Sequence, residues 1–219
     1  MRQALLIVIP SLAAMAASGC VVGGASGALY SESERHNYTG FEKVDVSAGV
    51  ETILSQGPFD VKAEARSGDD FKNLVVEVRG NTLHVGRRSS MWGWGNGEHY
   101  RVTVSAPKYT SLEASSGSSL DASGLQAADL RISVSSGAHM EVSGSCANVN
   151  IDVSSGAHFD GENLKCETAD VDASSGAHAD AFAVRSAEGN ASSGAHVTFF
   201  GNPASVSKDT SSGGSVDAR

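Results

Sequence analysis

Residues 135–158 read SSGAHMEVSGSCANVNIDVSSGAH, and this stretch decides the fold because the motif that opens it also closes it. The motif Ser-Ser-Gly-Ala-His occurs at residues 135–139, 154–158, 174–178 and 192–196. The shorter Ser-Ser-Gly recurs with its glycine at 117, 137, 156, 176, 194 and 213, at intervals of 20, 19, 20, 18 and 19 residues. A repeat of this length predicts a solenoid in which each repeat forms one coil.

The residues between two motifs alternate between apolar and polar. Val149, Ile151 and Val153 alternate with Asn150 and Asp152, and a period of two predicts half-buried strands. We expect each coil to hold two short strands, a bend at which glycine relieves backbone strain, and a variable return. Equivalent strands then pair in parallel about 4.8 Å apart. The sequence thus predicts an all-β fold, a parallel β-helix (β-solenoid) with coils of about 19 residues.

The first half of the chain has the same alternation without the repeated motif. Strands are predicted at residues 59–63, 74–78, 83–85 and 102–104, and Asp45 to Gly49 resembles a degenerate bend. We therefore expect residues 38–219 to form a single β-solenoid domain.

Composition excludes some functions. The chain has 219 residues, a formal net charge of −9 and 6% aromatic residues. Nucleic acid is bound by clustered Lys and Arg, so the acidic balance argues against that partner. The few aromatic residues predict a thin core of small side chains.

The N-terminus indicates export. An apolar run ends at Ala17-Ser18-Gly19-Cys20, which resembles a bacterial lipobox. We predict that residues 1–19 are a lipoprotein signal peptide, that Cys20 is lipidated, and that residues 20–37 are a flexible tether. An ordinary signal peptide is the alternative. Val21 favours sorting to the outer membrane, so we expect a protein anchored in the bacterial cell envelope with the membrane as a partner.

The two remaining cysteines occupy equivalent places in adjacent coils. Cys146 and Cys166 each precede the glycine of the next bend by ten residues. The spacing of paired strands suits a disulfide, and exported proteins meet oxidising conditions. We predict a Cys146–Cys166 disulfide, with two free thiols as the alternative.

The repeats also align histidines and acids on the outward side. The histidine column is His139, His158, His178 and His196, and two residues later come Glu141, Asp160 and Asp180. A second acidic column, Glu113, Asp152, Asp172 and Asp209, precedes the bends. Imidazoles beside carboxylates suit a divalent metal, a pH switch in which several histidines charge together, or recognition of an acidic or glycan partner. Duplication of a repeat copies its surface residues along with its core, so the histidine column can equally be a product of duplication without function. No cofactor is implied beyond a possible metal.

Two tryptophans, Trp92 and Trp94, stand in a glycine-rich segment away from the repeats. They either cap the solenoid or form an exposed platform for a sugar or protein.

Sequence motifs for catalysis are absent, and serines at bends bond the local backbone. We therefore predict a protein that is not an enzyme. Some β-helices cleave polysaccharides with carboxylates, and that alternative stays open.

Several segments together resemble a known family. They are residues 41–50 (FEKVDVSAGV), 74–85, 102–107 and Leu112 to Ser118. About residues 38–218 resemble the putative auto-transporter adhesin, head GIN domain family, also called the domain of unknown function 2807. The resemblance implies a right-handed β-helix in exported bacterial proteins, often lipoproteins, and supplies no catalytic residues. The chain departs from the family's pattern at the histidine column and at the tryptophan segment.

We therefore expect a lipid-anchored solenoid that presents a binding or adhesion surface to a glycan or protein. A structural envelope protein is the second interpretation. The last strand, near Val216, has no obvious cap, which predicts end-to-end homo-oligomers.

Overall fold

The computed structural model describes residues 30–88 and 99–219, and this part of the chain is built from strands. One 3₁₀ turn at Asp70–Lys72 is the only helical element in the described ranges. No helix there is long and apolar enough to cross a membrane. The strands are β1 Glu32–His36, β2 Lys43–Val46, β3 Glu51–Gln56, β4 Asp60–Ala65, β5 Leu74–Arg79, β6 Thr82–Arg87, β7 Tyr100–Ala106, β8 Ser111–Ala114, β9 Ser119–Val134, β10 His139–Val153, β11 His158–Ala173, β12 His178–Ala191, β13 His196–Phe200, β14 Ser205–Thr210 and β15 Ser215–Ala218.

The predicted parallel solenoid is confirmed, with about 5 turns and coils of about 20 residues. Strands β9 to β12 pair in parallel with one another, each running from one Ser-Ser-Gly turn to the next. The return expected to be variable is therefore itself β-structure, and two short strands per coil merge into one of 14 to 16 residues. Irregularity is limited to register shifts such as that between Glu141 and Gly144.

Each bend places two residues in the left-handed region. In the turn from Ser154 to Ala157, φ is 56° at Ser155 and 68° at Gly156. The amide of Ala157 donates to the carbonyl of Ser154 at 3.1 Å, and together these features define a type I′ turn. The amide of Gly156 donates to the carbonyl of Ser175 in the next coil at 3.0 Å. The turns therefore also hydrogen-bond to one another along the stack.

The degenerate bend predicted near Gly49 has the same backbone. Its φ values are 59° at Ala48 and 73° at Gly49. The non-repetitive first half therefore uses the same corner as the repeats.

The interior is narrow and lined by small or medium side chains. A column of alanines lies next to the bends, each member 1% exposed, and consists of Ala138, Ala157, Ala177 and Ala195. Large side chains face glycines: a Cβ at Gly189 would lie 2.8 Å from the ring of Phe199. Because large and small residues interdigitate at native density, few aromatic residues suffice to fill the core.

The first half does not stack in chain order. Strand β3 lies between β7 and β9, and β2 lies between β6 and β8, all in parallel. The coil formed by β6 and β7 therefore lies on the N-terminal side of the coil formed by β2 and β3, although it comes later in the chain. Beyond it, β4 pairs with β7 and β5 with β6, both antiparallel. These antiparallel strands form the N-terminal end of the stack.

The predicted tether is too long at its C-terminal end. Residues 32–36 form β1, which pairs antiparallel with β4. Tyr30 is also held, because its hydroxyl donates to Glu51 Oε2 at 2.8 Å. The sequence missed this strand because its residues, Glu-Ser-Glu-Arg-His, are polar on both faces.

The C-terminal end of the stack is β14 and β15. β14 pairs with β12, and β15 pairs with β13. On β14 the inward register position opposite Gly189 is Lys208, which is exposed at the open end. A charge in an inward position is one way in which proteins protect an edge strand.

A histidine–carboxylate ladder on one face of the solenoid

Four imidazoles stack along the solenoid. The register aligns His139 with His158, His158 with His178, and His178 with His196. Their ring centroids are 5.1, 4.9 and 5.1 Å apart, and the planes are tilted by 6°, 3° and 17°. The predicted histidine column is therefore a continuous stack. We call the outward surface that carries it the His face.

A column of acids lies beside the imidazoles, two residues further along each strand. Glu141 pairs in register with Asp160, and Asp160 with Asp180. The column is longer than predicted, because Asp121 precedes Glu141 and Asp217 follows Thr198. The repeats of these two acids carry Ser119 and Ser215 in place of the histidine, so the Ser-Ser-Gly-Ala-His motif does not reveal them. Both acids nevertheless lie four residues after a Ser-Ser-Gly glycine, as Glu141 does. Five carboxylates make the His face negative at neutral pH.

Imidazoles and acids also contact each other directly. His178 Nε2 lies 3.3 Å from Asp180 Oδ2. At the C-terminal end, His196 Nδ1 lies 2.5 Å from Ser215 Oγ, and its Nε2 lies 3.8 Å from Asp217 Oδ2. At the N-terminal end of the His face, the guanidinium of Arg101 forms an ion pair with Glu51.

His158, in the middle of the column, is harder to protonate than a free histidine. Burial, and then the neighbouring His178 and His139, lower the pKa of His158, against the opposite effect of Asp180 and Asp160. We therefore expect His158 to stay outside a switch in which several imidazoles charge at once near pH 6.5. A proton on one ring raises the cost of a proton on the next.

The stacked geometry is also unsuited to a shared metal ion. Two nitrogens bound to one zinc at about 2.0–2.1 Å can be no more than roughly 4 Å apart. Parallel rings with centroids 4.9–5.1 Å apart hold equivalent nitrogens farther apart than that. Within residues 30–88 and 99–219, no group of three or more His, Cys, Asp or Glu side chains could hold an ion.

The second acidic column precedes the turns, on the surface that we call the second face. Register places Asp152 against Asp172, but Ser133 and Asn190 interrupt the predicted series. Asn190 Nδ2 donates to Asp172 Oδ1 at 2.8 Å. Burial, and then the charge of Asp172, raise the pKa of Asp152, which Arg131 partly opposes. The column is thus less uniform and less acidic than the one on the His face.

The structure contains a disulfide between Cys146 and Cys166, which are partners in register. Their Cα atoms are 4.5 Å apart, and the side chains are 8% and 2% exposed. The bond therefore joins adjacent coils at the corner opposite the Ser-Ser-Gly turns. The predicted lipidation site Cys20 and the tryptophans Trp92 and Trp94 lie outside the described residues.

Comparison with known proteins identifies relatives of this fold. The family described as "Putative auto-transporter adhesin, head GIN domain" matches residues 40–203. No curated protein matches the chain.

Among solved structures, a putative adhesin from Bacteroides fragilis NCTC 9343 is similar with a TM-score of 0.67 and 13% identity, covering 86% of this chain and 96% of that one. A putative adhesin from Parabacteroides merdae ATCC 43184 has a TM-score of 0.53 at 11% identity, covering 86% and 95%. A putative lipid binding protein from Parabacteroides distasonis ATCC 8503 has a TM-score of 0.51 at 14% identity, covering 86% and 96%. At these identities the likeness concerns the fold.

Proposed function

Because the chain belongs to the family described as "Putative auto-transporter adhesin, head GIN domain", we propose that it holds a partner at the bacterial cell envelope and does not catalyse a reaction. The family supports a binding or adhesion role. The proposed binding surface is the His face, and the partner is a protein or glycan.

One observation carries this assignment, namely the continuous ladder of imidazoles and carboxylates. Its side chains point outward from paired strands, so the backbone fixes their positions before any partner arrives. Preorganised side chains lose little conformational freedom on binding. The repeated and nearly identical environments favour recognition of an extended surface over activation of one nucleophile.

The charge of the ladder selects the partner. Five carboxylates, Asp121 and Asp217 included, outnumber the four imidazoles, and at least His158 resists protonation. An acidic partner, which the histidines alone suggested, would be repelled. The proposed partner therefore presents positive charge, and association weakens in acid as the imidazoles gain protons and cancel the carboxylates.

A matched pair of double variants tests this function. Wild-type protein is screened on an array of glycans and basic proteins, and the strongest hit is titrated. We expect Asp160→Asn with Asp180→Asn to weaken binding at least tenfold, because the substitution removes two charges of the His face. Asp152→Asn with Asp172→Asn removes two charges of the second face and should leave affinity unchanged. Equal loss in both double variants would contradict the assignment to the His face.

We further propose that Cys20 carries the lipid that holds the protein to the outer membrane. The lipobox-like residues before Cys20 support this anchor. Growth of an expressing bacterium with a labelled fatty acid should label the wild type but not Cys20→Ala, which should appear in the soluble fraction. A labelled Cys20→Ala variant would refute the anchor.

A further inference from the structure

A trough on the second face has the features of a separate ligand site. Two columns of outward side chains run along the stack there. Asp129, Asn148 and Thr168 form one ridge, and the other ridge is Arg131, Asn150 and Asp170. Between them lies the trough itself, an open groove with a volume of about 440 Å³ that has Lys108 and Thr110 at its N-terminal end. Ligand sites commonly have volumes of about 300–1,000 Å³.

The first ridge is held rigid by hydrogen bonds between coils. Asn148 Nδ2 donates to Asp129 Oδ1 at 2.8 Å, and Thr168 Oγ1 donates to Asn148 Oδ1 at 2.8 Å. On the second ridge, Asn150 Nδ2 donates to Asp170 Oδ2 at 3.3 Å. These bonds use only part of each side chain's capacity, so both donors and acceptors remain for a ligand.

Two cationic side chains, Arg131 and Lys108, lie at the N-terminal end of the trough. The backbone amide of Arg131 donates to the carbonyl of Thr110 at 3.0 Å. The guanidinium of Arg131 forms no hydrogen bond or ion pair with any described residue, although its charge partly opposes the raised pKa of the Asp152 carboxyl. Lys108 has only a 3.5 Å contact with Glu42, and both side chains are exposed. A guanidinium offers several donors in a planar fork that matches a carboxylate.

We propose that this trough binds a saccharide that carries a carboxylate, such as a uronic acid unit. Its carboxylate pairs with Arg131 near Lys108, and its hydroxyls donate to Asp129 and Asp170 and accept from Asn148. A neutral sugar would leave the guanidinium without a partner. An acidic peptide would offer a carboxylate to Arg131, but it lacks the row of hydroxyl donors that Asp129 and Asp170 can accept from. This site is independent of the His face, since its side chains lie on the other surface.

Titration calorimetry with trigalacturonic acid tests the proposal, and the fully methyl-esterified trisaccharide is the matched neutral probe. We expect the wild type to bind the acid and to bind the ester at least tenfold more weakly. Arg131→Gln should weaken binding of the acid at least tenfold. Arg185→Gln, which changes an exposed arginine paired with Glu167 outside the trough, should bind like the wild type.

The variants also separate this site from the proposed function. The Asp160→Asn and Asp180→Asn double variant should bind trigalacturonic acid normally even where it loses the partner of the His face. Absence of binding by the wild type, equal binding of acid and ester, or unchanged affinity in Arg131→Gln would each overturn the proposal. Matching thermal unfolding of all variants shows that a lost affinity does not come from misfolding.

Discussion

A serine holds the left-handed position in every Ser-Ser-Gly turn, for example Ser155 with φ of 56° and Ser136 with φ of 53°. A residue with a Cβ is strained by about 1–2 kcal/mol in this region. The strain is tolerated because the turn is bonded within itself and to the next coil, as Gly137 donates to the carbonyl of Ser155. The sequence shows the glycine of the turn, whereas the conformation of the serine is visible only in the structure.

The lowered pKa of His158 predicts how stability depends on pH. A histidine whose pKa is lower in the folded than in the unfolded chain binds its proton more weakly when folded. Its contribution is present above the unfolded value of about 6.5 and is lost as pH falls through the lowered folded value. We therefore expect His158→Gln to flatten the decline of unfolding free energy below about pH 6.5.

Chemical denaturation at several pH values measures this decline, and NMR titration of the imidazole resonances gives the pKa directly. His36 stacks on Tyr38 outside the ladder, so His36→Gln is the control and should leave the decline unchanged. A pKa of His158 at or above the ordinary value would contradict the effect of its burial and of the neighbouring imidazoles.

At the scale of elements, the coils are joined by ladder hydrogen bonds and by one covalent link. The register aligned by the repeat brings Cys146 and Cys166 together, and this placement could be deduced from sequence because both lie at the same distance from their turns. That β10 and β11 are each one continuous strand could not be deduced from the sequence. The pattern of corner residues such as Gly144 and Ser145 is typical of a loop, yet pairing with both neighbouring coils makes them part of a strand.

The disulfide predicts a measurable stabilisation. It closes a segment with a sequence separation of 20, for which loop entropy corresponds to about 3 kcal/mol. We expect Cys146→Ser with Cys166→Ser to lower the free energy of unfolding by about that amount in denaturant titrations. The single variant Cys146→Ser should be similarly destabilised and should gain an alkylatable thiol. Alkylation of both cysteines in the unreduced wild type would show that the bond does not form.

At the scale of the whole molecule, the two ends of the stack differ. The N-terminal end is covered by antiparallel strands, and β1 lies at its outer edge. The C-terminal end leaves β15 as an edge strand, which favours the end-to-end association expected from the sequence. Lys208 opposes it, because the partner coil would have to bury this charge against its own interior.

We therefore expect the wild type to be monomeric and Lys208→Val to associate as its concentration rises. Sedimentation velocity measures both. Ser207→Val adds the same side chain at the neighbouring outward position and should remain monomeric. Association of the wild type, or equal association of both variants, would show that Lys208 does not protect this end.

The sequence by itself determined the all-β solenoid, its inward and outward residues, the aligned histidines and the neighbours Cys146 and Cys166. It could do so because a strand has a period of two and because equal repeats stacked in parallel align equivalent residues. Only the tertiary structure decided the order of coils in the first half, the antiparallel end, the lowered pKa of His158 and the trough beside Arg131. These features depend on pairings between distant segments and on the spacing of side chains across coils, which no local pattern encodes.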